Sequence, residues 1–294
     1  KKILILGETI IDKYIATETI GKSGKEPILV IKPVKEINFL GGAAYVANLC
    51  STFGKKTNLI SFIGSKNTEK SFIRKNLNKK VSGTFLKKND SPTIKKVRYL
   101  DEYRKTKILG VYDINDKPIS SKEENRFYNS IKNNIKNFDI VIVADYGHGI
   151  FTKKIRNLII KNGKKVFLNT QINSFNRGYH TVFNYNKINT LIINEGELQY
   201  ELKDKNSSLN DLLKSLRKKI SVENIIITRG RKGSIINNKK ENSFIKCPAF
   251  NLNNKDTIGA GDTFFAICSL ALSVKLDPKI SLLLASIAAD FSID

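Results

Sequence analysis

Short, wholly apolar runs that end in glycine or a polar residue recur along the chain and constrain its fold more than any other feature. Three of them are Ile3–Gly7, Ile140–Asp145 and Ile225–Thr228. A strand that is buried on both faces of a parallel sheet has this pattern, whereas a strand with one wet face alternates. Segments that can form helices lie between the runs. The sequence therefore predicts an α/β fold with a mostly parallel sheet that helices cover on both faces.

A second kind of segment, in which short apolar stretches lie among lysine and other polar residues, appears at three other places. They are the run Ile28–Ile31, within a part of the chain rich in lysine, glycine and proline, and the stretches Thr93–Leu100 and Lys107–Tyr112. Short strands with polar alternate positions suit a small sheet with one exposed face. We therefore expect strands of such a sheet at about 21–40 and 91–113, inserted into a single domain that spans residues 1–294.

Length and composition describe a globular protein with a sizeable core, since the 294 residues are 40% hydrophobic. No apolar run approaches the roughly 20 residues that span a bilayer, and no signal-peptide pattern opens the sequence. We expect a cytoplasmic protein without a membrane partner. Cys50, Cys247 and Cys268 cannot all pair with one another, so we expect reduced thiols. Two histidines and no Cys-x-x-Cys motif give a zinc site no support.

The net charge of +24 raises the question of nucleic-acid binding, because lysine and arginine displace counterions from a phosphate backbone. The lysines are spread along the whole chain, and asparagine and isoleucine, which share A/T-rich codons with lysine, are abundant too. We therefore attribute the charge to genome composition and expect no nucleic-acid partner. A basic surface would still attract anionic nucleotides and sugar phosphates.

The stretch Lys255–Thr263 lies between a turn-rich segment and a long apolar helix. Gly259, Ala260 and Gly261 would form the first turn of that helix, where backbone N–H groups lack intrahelical acceptors and the helix dipole favours an anion. Asp262 follows at once, as a base beside a bound phosphate would. In an isolated G-x-G-D, an aspartate that merely favours the helix dipole would be the plainer interpretation.

The segment Asp256–Thr263 closely resembles the C-terminal motif of the ribokinase-like, or PfkB, carbohydrate kinases. The resemblance implies a three-layer αβα sandwich, ATP and Mg²⁺ as cofactors, and a sugar hydroxyl as phosphoryl acceptor. It further implies that the strands at about 21–40 and 91–113 form a lid over the sugar. It also implies that Asp262 is the catalytic base and that the N–H groups of Gly259, Ala260 and Gly261 form the anion hole. The family usually has a small residue where Ile267 stands here.

Two further motifs of the same family concern the nucleotide. Asn194 and Glu197 match its Asn-x-x-Glu motif, and the resemblance implies that they organise hydrated Mg²⁺. The loop from Thr228 through Gly230 to Gly233 matches the Thr-x-Gly-x-x-Gly loop that lies against the nucleotide; taken alone it would be a plain hairpin turn. We expect the strands around Ser234–Ile236 and Phe244–Ile245 to pair across the intervening turn.

The N-terminal Gly-Gly motif of the family matches Gly41 and Gly42, which precede an amphipathic helix. Paired glycines let a ligand approach the backbone, although close packing of helix on sheet is an equal explanation for them alone. Tyr45 stands where the family usually has an asparagine that holds sugar hydroxyls. Asn48 lies one helical turn later, and we expect it to substitute in part.

Four other residues are candidates for binding the substrate. Asp12 follows the first strand, in a loop, and Asp145 ends a later one, so both would lie at the carboxyl edge of the sheet. Lys96 and Arg98 are candidates for a substrate phosphate, because an already phosphorylated sugar needs a cationic site. On their own they would pass for charges on the surface of the lid.

One subfamily is the most similar: the heptose 7-phosphate kinase domain of two-part heptose kinase and nucleotidyltransferase proteins. The segments Gly21–Pro27, Ser91–Arg98 and Asp145–Gly147 carry that resemblance, although a lysine commonly stands where His148 does. It implies phosphorylation to a 1,7-bisphosphate, a homodimer through the lid strands, and a fused or partner nucleotidyltransferase domain. The final turn and strand of the family do not follow the last helix here, so we expect the C-terminal end to be truncated.

Three alternatives remain open at the level of sequence. The acceptor could be a fructose-, ribose- or nucleoside-like compound. The protein could be a catalytically silent sensor of a sugar phosphate or nucleotide, given Tyr45, Ile267 and the chain end, although such a protein has no evident need for Asp262. It could also bind nucleic acid, in which case DNA binding would depend on salt and ATP turnover would be missing.

Overall fold

Strands and helices alternate along most of the chain in the computed structural model, which describes residues 1–239, 244–250 and 259–292. The strands are β1 (Lys2–Lys22), β2 (Leu29–Gly41), β3 (Lys56–Lys66), β4 (Val81–Pro92), β5 (Ile94–Asp101), β6 (Lys107–Asp113), β7 (Ile140–Asp145), β8 (Val166–Thr170), β9 (Lys187–Asn194), β10 (Ser221–Thr228), β11 (Ser234–Asn238) and β12 (Phe244–Cys247). The helices are α1 (Gly42–Phe53), α2 (Lys70–Asn76), α3 (Ser121–Lys132), α4 (Lys153–Asn162), α5 (Glu195–Leu202), α6 (Leu209–Lys219), α7 (Ala260–Ser273) and α8 (Pro278–Phe291).

The central sheet has the order β12-β11-β10-β9-β8-β7-β1-β3-β4. All neighbours from β10 to β4 are parallel, whereas β11 and β12 are antiparallel additions at one edge. The predicted mostly parallel α/β sheet is thereby confirmed, as is the pairing of the strands around Ser234 and Phe244. Most of the turn between those two strands lies outside the described residues. Parallel strands bring their carboxyl ends, and the loops that follow them, to one edge.

The first strand is longer than the sequence indicated and belongs to two sheets. Its first part pairs with β3 and β7, and from Ile10 onward it pairs with β2 and β5. With β6 on β5, these strands form a lid in the order β2-β1-β5-β6. We expected Asp12 in a loop, but it lies within β1, opposite Phe39 on one side and Lys96 on the other. The reason is that Ile10, Ile11 and Ile15 stay buried and carry the strand onward.

Helices cover both faces of the central sheet and build two cores. One core contains the buried residues of α3, α4, α5 and α6, and the other those of α1, α2, α7 and α8. Sequence signals mark several helix starts: Thr152 caps α4, Ser208 caps α6, and Pro278 opens α8. Within the described ranges no helix is both long enough and apolar enough to cross a membrane.

Candidate active site

Helix α7 begins at the carboxyl edge of the sheet, at the glycine-rich turn singled out in the sequence. Gly259 is its N-cap residue and has a φ of +86°, a left-handed conformation that glycine adopts without strain. A Cβ at Gly261 would meet no atom of the described residues within 4 Å. The preceding motif residues 255–258, including Asp256, lie outside the described residues. Backbone N–H groups in the first turn of a helix are suited to an anion, which is the function that the sequence predicts for this turn.

Asp262 lies in the first turn of α7 and is half-buried. Its Oδ1 accepts hydrogen bonds from Tyr146 Oη at 3.0 Å and Gln171 Nε2 at 3.3 Å. Burial raises the pKa of the Asp262 carboxyl to about 6, and the nearby charge of Asp12 acts in the same direction. A carboxylate with such a pKa is still ionised at neutral pH and is a stronger base than an ordinary aspartate.

Sequence reasoning assigned no function to Tyr146 or Gln171. Each comes directly after a central strand: Tyr146 follows β7, which ends at Asp145, and Gln171 follows β8, which ends at Thr170. Position at the carboxyl end of a parallel strand is the signal that could have identified both.

The lid contributes one acidic and two basic side chains to the same region. Arg98 Nη1 donates to Asp12 Oδ1, and its guanidinium lies over the rings of Tyr14 and Tyr112 at 5.6 and 5.5 Å. Lys96 Nζ lies 5.9 Å from the centre of the Tyr146 ring. Desolvation lowers the pKa of Lys96, and the charges of Asp12, Asp262 and Glu8 oppose that effect. The charges of Asp12 and Lys96 therefore act on the candidate base, and Arg98 reaches it only through Asp12; their predicted binding of substrate stays a prediction.

The two glycines before α1 are explained by close packing. A Cβ on Gly42, where φ is +61°, would lie 2.5 Å from the carbonyl oxygen of Glu8. A Cβ on Gly41 would lie 2.2 Å from Asp12 Oδ2. Gly41 thus borders the substrate region through Asp12, and Gly42 lets the helix approach β1.

Two residues of α1 differ from what the sequence indicated. Asn48 does not face the site, because its amide donates to the carbonyl of Asn76 and its Oδ1 accepts the N–H of Asn78. Those bonds join α1 to the turn after α2, so the expected substitution of Asn48 for the missing asparagine is wrong. Tyr45 does reach the site: its Oη lies 3.0 Å from the Thr263 hydroxyl, beside Asp262.

Asp145 ends β7 as predicted, but its side chain turns into the protein. It is 2% exposed, and its oxygens accept the Tyr185 hydroxyl at 2.8 Å and the Gly147 N–H at 3.0 Å. Glu8 lies beside it, and burial together with the charge of Asp145 raises the pKa of Glu8 to about 8. His148 is also buried, which lowers its pKa to about 3. Asp145 is therefore part of a buried polar cluster beneath the site and does not line it.

A pocket of about 420 Å³ lies on the other side of the glycine turn. It brings together all of the residues predicted to bind the nucleotide with two from the helix turn: Asn194, Glu197, Thr228, Gly230, Gly233, Ala260 and Gly261. Phe250, Arg231 and the α8 residue Asp290 also line it, which sequence reasoning missed. Gln171, which donates to Asp262, lines it as well, so the pocket reaches the neighbourhood of the candidate base.

Asn194 and Glu197 form a capping box at the start of α5. Asn194 accepts the N–H of Gly196, while Glu197 accepts the N–H of Asn194 and, with its other oxygen, that of Ile172, both at 3.1 Å. Desolvation raises the pKa of Glu197. No cluster of three metal-ligating side chains occurs among the described residues. Each carboxylate oxygen keeps a lone pair, so the pair suits Mg²⁺ that retains most of its waters.

Curated relatives match nearly the whole chain. It is similar to a protein named bifunctional protein HldE from Aliarcobacter butzleri, 30% identical over 298 residues that cover 98% of this chain and 60% of that protein. It is also 26% identical over 281 residues to the protein of that name from Helicobacter pylori strain J99, covering 92% and 58%. The chain therefore spans about 60% of the length of these relatives.

Solved structures and a family model define the fold and the family. Phosphofructokinase-2 from Escherichia coli superposes with a TM-score of 0.78 at 14% identity, covering 99% of this chain and 94% of that one. Arabidopsis thaliana ribokinase complexed with ribose and ATP gives 0.71 at 19%, covering 99% and 92%. These likenesses establish a ribokinase-like fold. The model of the pfkB family carbohydrate kinases matches residues 1–294, so the chain belongs to that family and is a carbohydrate kinase.

Proposed function

We propose that this kinase transfers the γ-phosphoryl group of ATP to a hydroxyl of a sugar phosphate, with heptose 7-phosphate as acceptor and a 1,7-bisphosphate as product. The observation that supports it best is the position of Asp262. This half-buried carboxylate stands at the start of α7, between the nucleotide-sized pocket and the lid residues Asp12 and Lys96. A base placed between a donor pocket and an acceptor region is what in-line phosphoryl transfer needs.

In this mechanism Asp262 accepts the proton of the acceptor hydroxyl as that oxygen attacks. The N–H groups of Gly259, Ala260 and Gly261 stabilise negative charge on the transferred group. Asn194, Glu197, Thr228, Gly230 and Gly233 line the nucleotide pocket, and the first two would hold hydrated Mg²⁺. When bound, ATP supplies the phosphoryl group and Mg²⁺ shields its charge.

Asp12 would bind hydroxyls of the acceptor, and Lys96 would bind its phosphate. Arg98 is already paired with Asp12 and held between two tyrosine rings, so it orients that carboxylate. Lys96 forms no ion pair with any residue in the described part of the chain. A desolvated cation without a paired carboxylate is a suitable partner for a phosphate dianion. This contrast supports a phosphorylated acceptor.

Asp262→Asn tests the base. We expect turnover to fall by at least about 100-fold while ATP binding, measured by calorimetry, stays unchanged. In the wild-type enzyme, kcat/KM should fall as the pH drops below about 6, where Asp262 takes up a proton. Asp90→Asn is the matched control, because Asp90 is 88% exposed on the surface. Normal turnover in Asp262→Asn would refute the mechanism.

The acceptor is tested by a coupled ATP-turnover screen of sugar phosphates beside their unphosphorylated forms. We expect heptose 7-phosphate to be preferred, and Lys96→Gln to raise its KM without changing that for ATP. Equal rates with unphosphorylated sugars would favour a fructose-, ribose- or nucleoside-like acceptor. Binding of sugar phosphate or nucleotide without turnover would favour a silent sensor.

The proposal extends to partners. The lid strands would pair two chains as a homodimer. A nucleotidyltransferase domain, fused or separate, would use the product; the word "bifunctional" in the relatives' name and their greater length support this. We expect the enzyme to act in the cytoplasm, where ATP is made.

A further inference from the structure

Tyr146 connects the base with the cation of the lid. Its hydroxyl donates to Asp262 Oδ1 at 3.0 Å, and its ring lies beneath Lys96 Nζ. Gln171 Nε2 donates to the same Oδ1 at 3.3 Å. Among the residues that the structure describes, none donates a hydrogen bond to Asp262 Oδ2. One carboxylate oxygen is therefore held by two donors, and the other is left to react.

We propose that Tyr146, assisted by Gln171, is a positioning residue that fixes the rotamer of Asp262 so that Oδ2 accepts the proton of the acceptor hydroxyl. The inference rests on the proposed function, because it needs Asp262 to be the base. Without the two donors, the carboxylate could rotate about its χ angles and bring either oxygen to the acceptor. Loss of such orientation is costly, since misplacement by about 1 Å can slow a reaction about 100-fold.

The rest of the protein holds Tyr146 rigidly enough to act in this way. The residue is 2% exposed, and its carbonyl oxygen accepts the amides of Asn173 at 2.8 Å and Asn176 at 2.9 Å. Its N–H points to Glu8 Oε2 at 3.5 Å. Burial and the charge of Asp262 keep the pKa of the Tyr146 phenol well above its usual value, so the hydroxyl remains a donor throughout the working pH range.

The same hydrogen bonds also affect the ionisation of the base. Donors to a carboxylate favour its charged form, so Tyr146 and Gln171 lower a pKa that burial raises to about 6. The other groups that face Asp262 are Asp12 from β1 and Lys96 from β5, while Tyr45 from α1 binds the adjacent Thr263. Removal of the phenol hydroxyl leaves these charges in place.

Tyr146→Phe tests the inference, because it deletes the hydroxyl and keeps the ring beneath Lys96. We expect kcat to fall about 10- to 100-fold. The KM for ATP should stay within about twofold, because Tyr146 does not line the nucleotide pocket. The acid limb of the pH profile of kcat should move from about pH 6 to about pH 7, because the loss of a charge-assisted hydrogen bond raises the pKa of the Asp262 carboxyl. Gln171→Leu should produce a smaller change in the same direction, because its bond is longer. Tyr128→Phe, on α3 over the other core, should behave as wild type.

A ¹³C NMR titration of the Asp262 carboxyl, assigned by its absence in Asp262→Asn, gives a readout that does not depend on turnover. If kcat falls but neither the acid limb of the pH profile nor this titration changes, Tyr146 has a merely structural function and the inference is overturned. Unchanged kinetics in Tyr146→Phe would overturn it too. If wild type itself shows no turnover, the proposed function fails, and the titration still decides whether Tyr146 binds Asp262. If Tyr146→Phe does not fold, the pH limb and the carboxyl titration of Gln171→Leu decide instead; its KM for ATP does not serve as a criterion, because Gln171 also lines the nucleotide pocket.

Discussion

Glu197 combines two tasks in one side chain. Its oxygens close the capping box of α5 and bind the N–H of Ile172, and it also lines the nucleotide pocket. Glu197→Gln keeps an oxygen that can accept an N–H but removes the charge. We expect turnover of Glu197→Gln to need several-fold more Mg²⁺ for its half-maximal rate, because a neutral amide attracts the hydrated ion less. A Mg²⁺ titration of the initial rate measures this.

The chain offers a matched control for that experiment in the capping box of α3. There Glu123 occupies the same N3 position relative to Ser120, and neither residue lines the nucleotide pocket. Glu123→Gln should lower the thermal midpoint without changing the Mg²⁺ dependence. If both variants shift the Mg²⁺ titration equally, the capping function alone explains Glu197, and its assignment to Mg²⁺ is wrong.

At the scale of elements, two buried titratable side chains lie where the loop after β7 meets β1: the acid Glu8 on β1 and the base His148 in the loop. The pKa of Glu8 is raised to about 8 by burial and by Asp145, so the folded state keeps a proton that the unfolded chain releases near pH 4.5. The pKa of His148 is lowered to about 3 by burial and by Lys96. The imidazole therefore stays neutral in the folded state at pH values below 6.5, where the unfolded chain takes up a proton. Stability contributed by Glu8 falls as pH rises from 4.5 to 8, and that of His148 falls as pH drops from 6.5 to 3.

The contributions of these two side chains cancel between about pH 4.5 and 6.5, and above 6.5 Glu8 is the one of the two that still changes stability. We predict that the free energy of unfolding of wild type falls by about 1 to 2 kcal/mol between pH 6.5 and pH 8 through Glu8. Glu8→Gln should remove that part of the decrease, because an amide does not titrate. Urea unfolding at the two pH values measures the difference. The same decrease in both proteins would contradict the prediction.

The sequence predicted the elements better than it predicted which side chains face the site. Apolar runs and caps located the strands and helices, because burial and helix ends leave local signals at residues such as Thr152 and Ser208. Asp12 was misplaced because nothing local tells that a buried strand continues into a second sheet beyond Gly7. Asn48 was misassigned because its partners, Asn76 and Asn78, are distant in sequence. Tyr146 and Gln171 meet Asp262 only through the tertiary fold.

At the scale of the whole molecule, the exposed edge of the lid is a surface suited to a protein partner. Within the part of the chain that the structure describes, strand β2 pairs with β1 alone and is an edge of the lid sheet. Its apolar residues are unusually exposed, among them Val34 at 59% and Phe39 at 51%. Exposed apolar edge strands are rarely left uncovered in stable proteins. A second copy of the chain, with the same edge and the same apolar residues, would cover it by isologous pairing.

Val34→Asp places a charge in the middle of that exposed edge and should convert a dimer into a monomer at micromolar concentration, because an unpaired carboxylate would be buried between the lids. Light scattering coupled to size-exclusion chromatography measures the mass. Val274→Asp is the matched control, since Val274 is also 59% exposed but follows α7, which belongs to the central domain; its mass should equal that of wild type. A wild type that is already monomeric, or a Val34→Asp variant that remains dimeric, would show that the lids do not pair.

Because Asp12, Lys96 and Arg98 all lie on lid strands, a monomer with loosely held lids should also bind the acceptor more weakly while its KM for ATP is unchanged.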